Sequence, residues 1–364
     1  MHAVRTRRWR VGAAIAAAAA VLATLAGCTL SPTRVVADSS VTIAVMQDYT
    51  GSMGPSATLV DRAVEAATLS GFSVVEASGR VVRDETFGTI TQLSADPLVV
   101  KYTVLDGLRW SDGAPIDGVD LLLDWAARSG AFPAFDAVGE VLPAASQLPE
   151  LSSDRKSLTV TFDEPTAQWA AAFRTPMPAH HVAGAALDIE GADAAGDAVI
   201  AAVGDAIAGD SDVLDAIAEA WNAAWRPDAD GAVTVPSSGP YAVETIAPGE
   251  VTLVANSTYS GARSPYFERV IISTFADAFA AAQALQARIV GAIQVEASLP
   301  VRDALSSIRA DVEQLTPRSG GGSALVAWYE RELSGVDPSR LPAGVAWNLW
   351  EWAPRSRIPG QTVG

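Results

Sequence analysis

One cysteine, three histidines and an abundance of carboxylates are the residues of this chain that could do chemistry, and their spacing narrows what that chemistry is. Cys28 follows Leu25-Ala26-Gly27. The small residues ahead of it leave the backbone open to a peptidase, and its thiolate is a natural nucleophile for attachment of a diacylglycerol. As the only cysteine it has no partner for an internal disulfide. His180 and His181 are adjacent, so their side chains diverge on a strand and stand apart on a helix, a poor arrangement for one metal. Asp228-Ala229-Asp230-Gly231 opens like a calcium loop, but Gly239 occupies the twelfth position, where a bidentate acid is required, so a surface turn is the better reading. No Gly-x-Ser-x-Gly elbow, phosphate loop or Gly-x-Gly-x-x-Gly turn occurs. The expectation is a protein that is not an enzyme and needs no cofactor or metal.

The address is written ahead of the fold. Arg5, Arg7, Arg8 and Arg10 form a positive region, Val11 to Leu25 is a short alanine-rich apolar run, and the site at Cys28 resembles a bacterial lipobox. The run is too short and too rich in alanine for a convincing membrane span. Residues 1–27 are read as a signal peptide and 28–40 as a lipidated tether; an ordinary secreted protein with a stray thiol is the alternative. Loss of the leader removes four arginines and no acid, so the net charge moves from −17 to −21. That balance argues against nucleic acid as a partner. It favours either cationic ligands or, more simply, a solvated acidic surface.

The elements that must position any site follow from periodicity. Val41 to Met46 is a compact apolar run, the first strand of a buried sheet, and the loop after it carries Tyr49, Thr50, Gly51 and Ser52. A loop at the carboxyl end of a buried strand is where α/β folds place ligands. Leu59 to Leu69 reads as helix. Strands are expected at Phe72–Val75, Thr89–Leu93, Leu98–Leu105 and Ser157–Phe162, and a short helix at Gln168–Phe173. Asp117 is placed to cap a helix in which Val119, Leu122, Leu123 and Ala126 repeat at helical spacing. Leu214, Ile217, Ala218, Trp221 and Trp225 form another stripe, whose tryptophans are core or, less simply, ligand platforms. Val235 to Asn256 is a hairpin turning at Pro248-Gly249. Ala278, Ala282, Leu285 and Ile289 mark a further helix. After Arg318 comes Gly320-Gly321-Gly322, and past Arg331 no stripe of useful length appears.

Several of these stretches resemble a known family. Tyr102 to Asp120, "YTVLDGLRWSDGAPIDGVD", resembles the signature of the family 5 solute-binding proteins of ABC importers, the oligopeptide- and dipeptide-binding class. "VTIAVMQDYTG", "LTVTFDEP", "PMPAHHV" and "VPSSGPYAVETIAPGEVTLVANSTY" resemble family segments in the same order, and Trp221-Asn222-x-x-Trp225 looks like an actinobacterial subgroup. The match spans about residues 41 to 317. It implies an α/β, periplasmic-binding-protein-like type II fold: lobe I from 41–75 and 236–318, and an inserted scaffold subdomain from 76–235. Two lobes of that fold close over a ligand.

The resemblance implies an extracytoplasmic lipoprotein that captures peptide or another small solute for an ABC permease, held at the membrane surface by its lipid and working as a monomer. A surface lipoprotein using the same scaffold as a sensor or interaction module is the alternative. Tyr49, Thr50, Gly51 and Ser52 are then candidates facing the cleft, Ser238, Gly239 and Pro240 candidates on the hinge side, and Trp110 scaffold. Where the family continues into a second lobe, that lobe is expected to be abbreviated or absent here: residues 319–364 read as its abbreviated beginning or a non-native tail, which would make the chain a truncated member with impaired ligand binding. Where the family usually has Gly followed by an acid at the end of the Ala278 helix, this chain has Ala287-Arg288.

Overall fold

Val41 to Val45 alternates its side chains between two apolar layers, and the larger sheet is built outward from it. In the computed structural model the described residues run from 35 to 328, apart from 53–56, 76–80, 137–141, 143–144, 146, 229–230, 262, 266, 297–298, 309–310 and 316–323. Cys28, the expected leader and the residues past 328 lie outside them. In chain order the first elements are β1 (Val36–Val45), α1 (Leu59–Thr68), β2 (Ser73–Val75), β3 (Val81–Arg83), β4 (Gly88–Ala95) and β5 (Leu98–Val104). Then come α2 (Gly118–Arg128), β6 (Glu150–Leu151), β7 (Ser157–Phe162), a 3₁₀ turn (Gln168–Ala171), α3 (Ala179–Leu187), α4 (Ala192–Ala208) and α5 (Asp212–Ala223). The last are β8 (Tyr241–Ala247), β9 (Glu250–Ala255), β10 (Phe267–Thr274), α6 (Ala278–Gln286), β11 (Ala292–Glu296), α7 (Leu299–Ser307), β12 (Asp311–Leu315) and β13 (Ala324–Trp328).

The large sheet has the order β12-β13-β11-β1-β10-β9-β8. In it β1 is parallel to both β10 and β11, and the other neighbours are antiparallel. A smaller antiparallel sheet has the order β4-β5-β7-β6, and β2 pairs with β3. Alternation decides the layers. Ile43 faces one buried cluster, with Val270, Val64, Tyr102, Leu158, Trp125 and Trp221, whereas Ala44 faces another with Ala281, Leu285, Ile293 and Leu305. The first cluster runs without a break from the large sheet through α1 into the small sheet and α2–α5, so both sheets share one core. The helical stripe ending in Trp221 and Trp225 is part of that core, with both indoles buried.

Local signals explain the helix starts. In α1, Thr58 and Asp61 form a reciprocal capping box, and Asp117 and Asp120 do the same for α2. Both boxes have the Thr/Asp-x-x-Asp spacing that satisfies two of the free N–H groups of a first turn.

Three expectations are corrected. The expected tether, 28–40, overlaps the fold, because β1 begins at Val36; polar Asp38 and Ser39 are held there by Glu268, whose Oε2 accepts from Asp38 N (2.7 Å) and whose N–H donates to Ser39 Oγ (3.1 Å). Ala324–Trp328, assigned to the second-lobe start or tail, is instead an interior strand of the large sheet, between β12 and β11. Ile289, expected in a helical stripe, is 69% exposed, because α6 ends at Gln286 and Arg288 turns the backbone left-handed at φ 62°. That turn is a position where glycine sits without steric cost. Arg288→Gly is therefore expected to stabilise the protein by about 0.5–1 kcal/mol, read as a raised midpoint in thermal unfolding.

Candidate functional site

The Trp110-Ser111-Asp112-Gly113 turn is a junction of motifs. Trp110 is fully buried and its indole Nε1 donates to Asp120 Oδ2 (3.2 Å). Ser111 N donates to Ser237 O (2.8 Å), and Ser237 N returns a bond to Ser111 Oγ (2.8 Å), which fastens the turn to the Ser-Ser-Gly-Pro-Tyr segment. Asp112 Oδ2 lies 2.8 Å from His180 Nε2. Asp120 Oδ1 accepts from Ala179 N (2.8 Å), at the start of α3. Asp120 also accepts from Asp117 N (3.0 Å). Burial, and then the neighbouring Asp117 carboxylate, push the Asp120 carboxyl up to about 8, against the three hydrogen bonds it accepts.

Ser238, Gly239 and Pro240 are buried. Ser238 Oγ accepts from Ser70 N (2.9 Å), and Ser70 Oγ donates to Ser238 O (2.7 Å). Gly239 N donates to Thr68 O (2.8 Å), and a Cβ on Gly239 would lie 2.7 Å from Ala67 O. Asn256 Nδ2 donates to Gly239 O (2.8 Å). These groups bind the carboxyl end of α1 to the start of β8.

The loop after β1 is organised by Asp61, a residue the sequence reading did not single out. Its Oδ1 accepts from Thr50 N (2.7 Å) and Gly51 N (2.9 Å). Its Oδ2 accepts from the Thr50 hydroxyl (2.7 Å) and Thr58 N (2.8 Å). The Thr58-x-x-Asp61 spacing was the available signal. Gly51 has φ 68°, and a Cβ there would stand 2.3 Å from Trp225 O. The Tyr49 hydroxyl donates to the same carbonyl (2.8 Å). Burial, and then the carboxylates of Asp61 and Glu65, hold the Tyr49 phenol above its ordinary range, so it is a neutral donor. Trp225 is fixed in turn by its indole Nε1, 3.1 Å from Met177 Sδ. One residue of the Trp-Asn-x-x-Trp segment thus props the loop, while Asn222 Nδ2 donates to Ala134 O (2.9 Å) and pins the chain after α2.

Beside this loop lies an open cavity of about 590 Å³. It stands at the carboxyl ends of β1 and β10 and against the β8–β9 turn. Val60, Ile246, Val251 and Ile272 give it an apolar floor; Tyr49 and Thr274 add polar atoms; Asp48, Asp228 and Glu250 give it three carboxylates. No Lys, Arg or His is among its described lining residues. Of the loop candidates, Tyr49 lines it, whereas Thr50, Gly51 and Ser52 are not among its described lining residues. Pro248 and Gly249, read from sequence only as a turn, are part of its wall.

The model of the bacterial extracellular solute-binding proteins, family 5 middle, matches residues 88–319. The chain belongs to this family. Family 5 members are extracellular substrate-binding proteins, and the periplasmic-binding-protein-like α/β architecture expected from the sequence is the one observed. An uncharacterized lipoprotein of Mycobacterium tuberculosis is 32% identical over 209 residues, covering 55% of this chain and 35% of the relative. One of Mycobacterium leprae is 34% identical over 206 residues, with the same coverage. The chain spans about a third of the length of these curated relatives. Among solved structures, a periplasmic EDTA-binding protein superposes with a TM-score of 0.59 at 23% identity, covering 78% of this chain and 48% of that one. The oligopeptide-binding protein AppA of Bacillus subtilis, solved with a nonapeptide, gives 0.52 at 13% identity and the same coverage. At these identities the likeness is one of fold.

Proposed function

We propose that this family 5 protein is a lipid-anchored, extracytoplasmic capture component of an ABC importer, that its ligands are peptides, and that the cavity at the carboxyl ends of β1 and β10 is one wall of its binding site. The observation that carries this reading is the cavity itself: open, apolar at its floor, rimmed by carboxylates, and set where parallel strands of an α/β sheet end. The relatives from two mycobacteria are named lipoproteins, which supports an anchor at Cys28. The Bacillus subtilis structure holds a nonapeptide on the same fold, which supports the ligand class. Tyr49, its hydroxyl hydrogen committed to Trp225 O, gives this wall a neutral polar side chain, and Ser238 to Pro240 brace the carboxyl end of α1.

Asp48, Asp228 and Glu250 set the sign of the preference. Carboxylates around an apolar floor favour ligands with an amino group and disfavour acidic ones. The chain from Cys28 onward, immobilised and exposed to a mixed peptide library, is expected to retain a defined set enriched in lysine and depleted in glutamate and aspartate, identified by mass spectrometry. Retention of no peptide would remove the proposal. For the anchor, Cys28→Ser in the full chain is expected to shift the protein from the detergent phase to the aqueous phase in a Triton X-114 partition. Unchanged partitioning would count against lipidation.

A further inference from the structure

The carboxylates at the rim of the cavity do not stand alike. Asp228 is committed to its own turn: its Oδ1 accepts from Ala232 N (2.9 Å) and its N–H donates to Ala232 O (2.9 Å). Glu250 opens β9, and strand alternation sends it to the sheet face opposite Val251, whose side chain belongs to the cavity floor. Asp48 differs from both. Its carboxylate is exposed at the rim and has no hydrogen-bond or ion-pair partner among the described residues.

The backbone that carries Asp48 is nevertheless tied down. Gln47, one residue earlier, accepts at its O from the Thr274 hydroxyl (3.2 Å) and at its Oε1 from Leu59 N (3.0 Å). Asp48 O itself accepts from the Thr58 hydroxyl (3.2 Å), and the next side chain, Tyr49, donates to Trp225 O. The residue is thus fastened to β10 through Gln47, to α1 through Thr58, and to the chain leaving α5 through Tyr49. The structural task open to an acid beside α1 is to cap it. Thr58 and Asp61 already do so, and Gln47 takes the first N–H of that helix.

We propose that Asp48 is the specificity-determining residue of the cavity, and that it selects ligands whose ammonium or guanidinium side chain reaches over the floor of Val60 and Ile272. The proposal rests on the peptide-capture reading above and names the carboxylate from which most of its charge preference comes. Pre-organisation is the physical reason. A short side chain on an immobile backbone gives up little conformational freedom when it meets a cation, so more of the attraction is left as affinity.

The test reads a ratio, which a merely structural role does not move. The full chain is dialysed to equilibrium with a mixture of two peptides, Ala-Ala-Lys-Ala-Ala and Ala-Ala-Glu-Ala-Ala, and the bound amounts are compared by mass spectrometry. The wild type is expected to favour the lysine peptide by about fivefold at low ionic strength, with the ratio falling as salt is raised. Asp48→Asn keeps the shape of the side chain and the backbone hydrogen bonds, and is expected to bring the ratio below about twofold. Asp48→Lys is expected to invert it. Asp228→Asn and Glu250→Gln are expected to change it by less than Asp48→Asn does. A ratio that survives Asp48→Asn, or that falls equally in the three neutralised variants, overturns the assignment and leaves peptide capture standing. Loss of both peptides from Asp48→Asn with their ratio intact overturns it as well. Retention of neither peptide by the wild type overturns peptide capture and the assignment together.

Discussion

Gly51→Ala is expected to destabilise the protein by about 3 kcal/mol or more and to abolish retention of any peptide ligand. The added methyl would lie 2.3 Å from Trp225 O, 2.8 Å from Trp225 C and 2.9 Å from Arg226 Cα. All three are backbone atoms of the chain leaving α5, so no side chain can rotate out of the way. A left-handed φ of 68° at an L-residue adds about 1 kcal/mol more. The relief available is to push the 49–52 loop outward, which breaks the Tyr49–Trp225 hydrogen bond and draws Tyr49 out of the cavity wall. Gly113→Ala supplies the comparison. Its φ is 91° but nothing lies within 4 Å of the added Cβ, so only the backbone cost of about 1 kcal/mol is expected. Equal midpoints for the two variants in urea unfolding would show that the Gly51 contact carries no weight.

Asp120→Asn is expected to cost about 2–4 kcal/mol despite its near-identical shape. Both carboxyl oxygens accept N–H groups: Oδ1 from Ala179, Oδ2 from Trp110 Nε1 and from Asp117. An amide nitrogen in either place has no lone pair to accept with, whereas a carboxyl oxygen keeps one even when protonated, and the side chain is 2% exposed. The pH dependence gives a second readout. Because the folded carboxyl titrates at about 8, above its unfolded value of 3.8, its contribution is fully present below about pH 4 and is lost as pH rises through 8. The wild-type unfolding free energy is thus expected to carry a falling component between pH 4 and 8 that the asparagine variant lacks. Parallel pH profiles for the two proteins would remove this account of Asp120.

Much of the scaffold is legible in the sequence because its signals are local. Leu98 to Val104 alternates buried and half-buried positions, as a strand with one face on the core must. Asp117 caps its helix as expected, and the stripe ending in Trp221 and Trp225 packs inward. Two of the three misreadings share a cause: each depends on a partner distant in the chain. Asp38-Ser39-Ser40 has the composition of a linker, yet it becomes strand because Glu268 lies alongside. Ala324 to Trp328 follows a glycine run that looks like a boundary, yet β11 and β12 supply hydrogen-bonding edges on both of its sides.

The site divides in the same way. Tyr49 could be proposed from its place after a buried strand, and the structure puts it in the cavity wall. Nothing local to Pro248-Gly249 or Glu250 announces that a hairpin turn will come to rest beside it. That neighbourhood is created by the register of β9 on β10 and of β10 on β1. Ser238 to Pro240 carry hydroxyl, glycine and turn chemistry that would suit a ligand loop. Their hydrogen-bonding groups are taken by the end of α1 and by Asn256 instead, a use visible only once Ser70, Thr68 and Asn256 are brought against them.

The unbroken apolar interior beneath both sheets has a mechanical corollary. With no seam between them among the described residues, the small sheet does not swing as a separate plate, and the proposed binding wall behaves as an anvil rather than a jaw. Any tolerance for guests of differing size must then reside in mobile side groups and trapped solvent, while the backbone under them holds its shape.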